Sequence, residues 1–255
     1  MNIGVFDSGL GGLWILKYLR EKLPEYNYIF FGDQANVPYG TKSKEDLFAY
    51  TTQALLYLYK EKNCLCVILA CNTTSTAIFT ELRAWVEKEF PDRRVFGIVL
   101  PTVLTIPVVD PVAVFATHRT VESHVFKREI KGDVTEVALP ELCSRIESGG
   151  ETKEYIASFA SQIPDTVKTG ALCCTHYGIV RDDFIHAFPN ITKWISQEEI
   201  IPEFFKNYLE SKPDFDNKLS KQNKIEIYVT KESEVFNTWL KKWYQNPPQI
   251  NIIKF

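Results

Sequence analysis

Short apolar, β-branched runs alternate with longer stretches of helical period, and this alternation constrains the fold more than any other feature. The runs are NIGVF (2–6), YNYIFFG (26–32), LCVILA (65–70), RVFGIVL (94–100), VAVFAT (112–117), VTEVAL (134–139) and TGALC (169–173). KIEIYVT (224–230) and INIIKF (250–255) follow. Amphipathic stretches lie at 11–22, 43–62, 74–89, 119–130, 151–162, 198–210 and 231–243. Buried strands alternating with helices of this length predict βαβ units and a mainly parallel sheet, an α/β fold. Ser43 stands three residues before Asp46, a near capping box, and Thr73 precedes good helix positions. Three prolines in PTVLTIPVVDP (101–111) mark a change of domain, and the polar KPDFDNKLSKQNK (212–224) reads as a surface loop.

The pattern also repeats. NIGVF ends at Asp7 and VAVFA at Thr117, 110 residues apart. Cys71 and Cys174, 103 residues apart, each close the third strand of their unit. Sites in open α/β sheets form at the carboxyl ends of strands. Two such units facing each other bring Cys71 and Cys174 to opposite walls of one cleft.

Composition narrows the chemistry. The 255 residues are 45% hydrophobic and 24% charged, enough for a sizeable core. The net charge of -3 gives no reason to expect nucleic acid or an anionic membrane as a partner. No segment approaches the ~20 apolar residues that span a bilayer. MNIGVFDSG lacks the features of a signal peptide, so a cytosolic protein beginning at Met1 is expected. Six cysteines are too few for a disulfide framework, and CLC and CC lack the C-x₂-C spacing of zinc sites, so no metal is expected. Cys64, Cys66, Cys143 and Cys173 read as core residues.

Cys71 and Cys174 both stand where a helix or turn N-terminus follows, a position that lowers a thiol pKa. A thiolate and a thiol on opposite faces of a small substrate form a base and an acid, and such a pair inverts a carbon stereocentre. Asp7 and His176 are placed to aid one thiol each. His118, His124 and His186 read as solvated. Other readings stay open at this point. DSGLGGL (7–13) is a Gly-rich turn able to hold a phosphate or carboxylate, with Asp33 where a ribose-binding acid would lie, but Trp14 occupies the third glycine position. A Cys–His hydrolase leaves Cys71 unexplained. A pyridoxal-phosphate enzyme needs a Schiff-base lysine, for which Lys42 is the sole suggestive position.

The segments IGVFDSGLGGL, FFGDQANVPYGTKS, VILACNTTSTA, ATHRTVES and LCCTHYG together resemble the glutamate racemase family, part of the cofactor-independent aspartate/glutamate racemase superfamily. Weaker similarity continues through VALPELCSRIESG and IYVTKESEVFNTWLKKW, so it covers essentially the whole chain. The resemblance implies two similar α/β domains, each a mainly parallel sheet flanked by helices, facing across a central cleft: 1–94 with 200–255, and 95–199. It implies interconversion of L- and D-glutamate with no cofactor, supplying D-glutamate for peptidoglycan. Cys71 and Cys174 would be the acid/base thiols, D-glutamate presenting its α-proton to Cys71. Asp7 would assist Cys71, and His176 with Glu147 would assist Cys174. Ser8, Tyr39, Gly40, Asn72, Thr73, Thr117, Thr120 and Thr175 would hold the substrate. The partner is then a small amino acid, and a homodimer is compatible with it.

Three positions depart from the family pattern. Leu100 replaces a glutamate before Pro101, a change bearing on substrate geometry or dimer packing. Gly178 replaces the proline after C-T-H-Y, and ISQEE (195–199) lacks an acidic–serine pair. The alternatives are a racemase for aspartate or another amino acid, and an inactive paralogue that binds.

Overall fold

A computed structural model describes residues 1–107 and 110–255 as two parallel sheets flanked by helices. The first half runs β1 (Asn2–Asp7), α1 (Gly11–Lys22), β2 (Tyr28–Gly32), α2 (Lys44–Leu56), β3 (Cys64–Leu69), α3 (Asn72–Ala77), α4 (Phe79–Glu89) and β4 (Arg94–Gly97). After α5 (Val99–Thr105) come β5 (Val112–Ala116), α6 (His118–Glu122), α7 (Val125–Glu129) and β6 (Val134–Ala138). Then follow α8 (Leu142–Ser148), α9 (Lys153–Ala157), β7 (Thr169–Leu172), α10 (Arg181–Ala187) and β8 (Lys193–Ser196). The chain closes with α11 (Gln197–Ser211), α12 (Pro213–Asp216), β9 (Ile225–Val229), α13 (Glu234–Trp243) and β10 (Ile250–Ile252).

Strand order is β10-β9-β2-β1-β3-β4 in one sheet and β6-β5-β7-β8 in the other, with parallel pairing throughout. The paths β2-β1-β3-β4 and β6-β5-β7-β8 are the same, so the repeat inferred from residue offsets is present in the topology. Cys71 follows β3 and Cys174 follows β7, which are equivalent strands. Apolar side chains alternate between the faces of each strand, as a strand covered on both sides requires. In β3, Cys66 and Ile68 join the core under α1 and α11 while Val67 and Leu69 join the core under α2 and α4; alternation breaks only at the strand's start, where the register against β1 shifts and Leu65 shares a core with Cys66. The vicinal Cys173 and Cys174 likewise enter different cores.

Departures from expectation have local causes. The helix expected over 74–89 is two helices meeting at Ile78, and α3 begins at Asn72, with Cys71 rather than Thr73 at its cap. The stretch 119–130 breaks at His124, whose φ of 49° is left-handed. Ser43 caps α2 by accepting from Asp46 N at 3.0 Å. β8, α5, α8, α10 and α12 match no expected element; none exceeds seven residues, too short to display a period. The proline-rich segment is helical over α5, and its Val108 and Val109 lie outside the described residues. β4 carries the first sheet to Gly97, three residues past the expected 94/95 boundary. Among the described residues, no helix is long and apolar enough to cross a membrane.

Candidate active site

Side chains from the carboxyl ends of both sheets converge on one cavity of about 530 Å³, within the ~300–1,000 Å³ typical of small-molecule sites. The first sheet contributes Asp7 and Ser8 after β1, Tyr39 and Gly40 after β2, and Cys71, Asn72 and Thr73 at the β3–α3 seam. The second contributes Thr117 after β5, Glu147 of α8, and Cys174, Thr175 and His176 after β7. Every catalytic or substrate-binding residue that the family resemblance implied lines it except Thr120. That side chain is buried behind Thr117, whose Oγ1 donates to Thr120 Oγ1 at 3.1 Å. The two walls meet closely at Gly11: a Cβ there would collide with Thr175 Oγ1 and lie 2.6 Å from His176 Nδ1. Glycine is required by that approach, not by backbone angle.

On one wall, Cys71 is buried with its Sγ 3.5 Å from Ser8 Oγ. Burial, reinforced by the nearby Asp7 carboxylate, pushes the Cys71 thiol up to about 11, and the Ser8 hydroxyl offsets this only in part. Burial also raises the Asp7 pKa, against the positive influence of His176 and a hydrogen bond from Gly12 N at 2.7 Å. That bond uses an amide at the start of α1 which the dinucleotide reading assigned to a phosphate. Asp33 is likewise committed: it accepts from Asn36, from Tyr39 Oη at 2.6 Å and from Thr230 Oγ1 at 2.7 Å.

On the opposite wall the proton affinity reverses. Burial alone would raise Cys174, but Cys143 Sγ lies 3.5 Å from its sulfur and His176 Nδ1 lies 3.9 Å away. These partners outweigh burial and lower the Cys174 thiol to about 6. His176 Nε2 lies 2.8 Å from Glu147 Oε1. Burial works against the imidazolium, but Cys174 and Glu147 raise its pKa well above the ordinary value, while His176 lowers that of Glu147 despite burial. The two walls therefore differ in proton affinity: burial and Asp7 favour the thiol at Cys71, while Cys143 and His176 favour the thiolate at Cys174.

Three features were missed by sequence reasoning. Cys143, read as a core residue, is half-buried and lines the cavity against Cys174. Its signal lay in spacing: it precedes Glu147 by four residues, so on a helix the two share a face. Among the described residues, Arg119 is the single Lys or Arg lining the cavity; His118 beside it at the rim is exposed, as expected, with Nε2 3.1 Å from Glu122 Oε1. Gln197 exchanges hydrogen bonds with Asn72, Nδ2 to Oε1 at 2.6 Å and Nε2 to Oδ1 at 3.0 Å, and also reaches Thr102 Oγ1 at 3.1 Å. The Asn72 amide is thus spent on α11.

No family model matches the chain. It is, however, 34% identical over 241 residues to a glutamate racemase of Cereibacter sphaeroides, covering 84% of this chain and 87% of that protein. The chain belongs to the glutamate racemase family. A crystal structure of the Francisella tularensis glutamate racemase in complex with D-glutamate is 27% identical, with a TM-score of 0.85 over 99% of this chain and 97% of that one. The Thermus thermophilus glutamate racemase in complex with β-chloro-D-alanine is 25% identical, with a TM-score of 0.85 over 100% and 97%.

The departures from the family pattern now have locations. Leu100, 58% exposed on α5, does not touch the catalytic cavity; it borders a separate cleft with Phe79, Val95 and Val103. Its expected bearing on substrate geometry is thereby corrected. A Cβ at Gly178 would collide with both carboxylate oxygens of Glu198, which is buried and hydrogen-bonded to Ser196. The missing proline and the altered ISQEE segment therefore adjoin in space.

Proposed function

We propose that this cavity interconverts L- and D-glutamate by two-base proton transfer between Cys71 and Cys174, without pyridoxal phosphate or metal. One observation carries the reading: thiols following equivalent strands line one cavity and have opposite proton affinities. The Cys174 thiolate takes the α-proton of L-glutamate, whose C–H electron pair becomes the carbanion. The Cys71 thiol then donates its proton to the opposite face, giving D-glutamate, a Cys71 thiolate and a Cys174 thiol. That protonation state is the one D-glutamate requires for the reverse reaction. Asp7 and Ser8 serve the Cys71 side, and His176 with Glu147 the Cys174 side. Tyr39, Gly40, Asn72, Thr73, Thr117, Thr120 and Thr175 form or support the substrate cradle.

Apart from residues 95–97 of β4, which pair in the first sheet, the two sheets correspond in this reading to domains 1–94 with 200–255 and 95–199. The product supplies peptidoglycan synthesis in the cytoplasm, and the chain is compatible with a homodimer. Circular dichroism of dialysed protein, treated with a chelator and a carbonyl reagent, tests the activity. Both glutamate enantiomers should lose optical activity at undiminished rate. Activity restored only by pyridoxal phosphate or a divalent metal would overturn the proposal, and comparable kcat/KM for aspartate would overturn the substrate.

A further inference from the structure

Cys143, Cys174 and His176 bring Sγ, Sγ and a ring nitrogen within 4.8 Å of one another. The sulfurs are 3.5 Å apart and Cys174 Sγ lies 3.9 Å from His176 Nδ1. A tetrahedral Zn²⁺ with bonds of about 2.3 Å to sulfur and about 2.0–2.1 Å to nitrogen separates its ligand atoms by about 3.5–3.8 Å. The S–S distance and the Cys174 Sγ–His176 Nδ1 distance are close to edges of such a tetrahedron, and the third edge, within 4.8 Å, closes by a small side-chain movement. Glu147 Oε1 holds the far ring nitrogen, Nε2, at 2.8 Å. With the proton on Nε2, the Nδ1 lone pair faces the two sulfurs, the carboxylate–histidine–metal arrangement that orients a ligand imidazole. Cys143, Glu147, Cys174 and His176 all line the cavity.

We propose that Cys143, Cys174 and His176 form a binding site for a thiophilic divalent cation, Zn²⁺ above all, which caps the Cys174 sulfur and reversibly arrests catalysis. The arrest rests on Cys174 being an acid/base group as read above; the binding does not. On binding, Cys143 and, where they are protonated, Cys174 and His176 Nδ1 release their protons to solvent, two Zn–S bonds and one Zn–N bond form, and no electron is transferred. The cation is an inhibitor here, not a cofactor. The expectation of no metal site came from spacing along the chain, whereas these ligands are assembled from α8 and the turn after β7. In the proton-transfer scheme Cys143 neither takes nor gives the substrate's proton and acts only on Cys174, at 3.5 Å from its sulfur.

The test titrates the full chain, stripped of metal and kept reduced with a phosphine, with Zn²⁺ against a chromophoric chelator and with Co²⁺ by absorption. One equivalent per chain is expected, with thiolate-to-cobalt charge-transfer absorption and tetrahedral d–d bands. Glu147→Gln should weaken Zn²⁺ binding about 10–100-fold, as loss of an outer-shell carboxylate does. Cys143→Ala and Cys143→Ser, each checked for native circular dichroism, should weaken it further and lose charge-transfer intensity. Zn²⁺ should inhibit racemisation at the concentration that fills the site, each variant being scored against its own metal-free rate, and EDTA should restore the rate. Unchanged Zn²⁺ affinity in both Cys143 variants, or a cobalt spectrum without thiolate bands, would overturn the site. A filled site with undiminished racemisation would overturn the arrest. A metal-free chain without racemase activity would instead sink the proposed function, while the titration would still decide the metal site.

Discussion

Cys143 Sγ stands 3.5 Å from Cys174 Sγ, and this contact is one reason the Cys174 thiol falls to about 6 while burial pushes it the other way. The partner thiol shows the converse: the same contact heads the causes that raise Cys143 well above its ordinary value. The opposite directions of the two shifts correspond to Cys143 donating to an ionised Cys174. In Cys143→Ala the acceptor loses that bond, so the Cys174 pKa should rise and the acid limb of the rate profile should move above pH 6. At higher pH the rate should recover. A pH profile of kcat/KM checks this, and an unmoved limb would show that Cys143 does not tune Cys174. Cys64→Ser, deep in the first core, should leave the profile alone.

Much of this site was legible in the sequence because strand ends are. The repeat length, the apolar runs and the residues closing each third strand placed Asp7, Cys71, Thr117 and Cys174 in one cleft without coordinates. What stayed hidden depends on short elements and on contacts between distant segments. α8 has seven residues, too few to reveal that Cys143 and Glu147 face the same way. Gln197 meets Asn72 across 125 residues of chain, and no local pattern announces that pair. Glycine signals were readable as turns but not as close approaches: Gly11 is explained by Thr175 and His176, which only the packing of the two walls brings near.

The thiol pair fixes a shared pH dependence. With Cys174 at about 6 and Cys71 at about 11, the pair holds a single proton between those values. Below about 6 both are thiols and no base remains; above about 11 both are thiolates and no acid remains. Because the equilibrium constant between enantiomers is unity, kcat/KM must follow the same curve for L- and D-glutamate. Rates measured from pH 5 to pH 10 should therefore rise through about 6 and level off for both. A rising limb displaced by two units would contradict the assignment of the low-pKa group to Cys174.

Removal of either thiol should be equally severe. General acid–base groups contribute about 10²–10⁴-fold, and a serine hydroxyl is a far weaker base than a thiolate. Cys71→Ser and Cys174→Ser should each lower kcat by at least that range in both directions, with the fold retained by circular dichroism. Near-normal turnover in either variant would defeat the two-base scheme.

Arg119 supplies the guanidinium at the cavity rim, between Thr117 and the buried Thr120. A substrate with two carboxylates and one ammonium carries net negative charge, so this group should favour its binding. A hydrogen bond to a charged group is worth about 1.5–3 kcal/mol, which corresponds to about 10–100-fold in affinity. Arg119→Gln should raise KM for both enantiomers by that order with little change in kcat, the sign of binding lost equally from ground and transition states. An unchanged KM would mean the guanidinium does not reach the substrate.

Gly178 and Glu198 provide a test of compensation away from the chemistry. The Glu198 carboxylate occupies the space into which a side chain at 178 would project, and its burial raises its pKa. Gly178→Ala must displace that carboxylate, and overpacking of this kind costs about 1–3 kcal/mol. Glu198→Ala removes the obstruction, along with a carboxylate that is expensive to keep buried, so alone it should destabilise little. In the double variant Gly178→Ala/Glu198→Ala the cost at 178 should largely vanish. A double-mutant cycle by urea unfolding measures the coupling, which for residues in contact reaches about 0.5–3 kcal/mol. Additive effects would mean that the glycine at 178 is not there to accommodate Glu198.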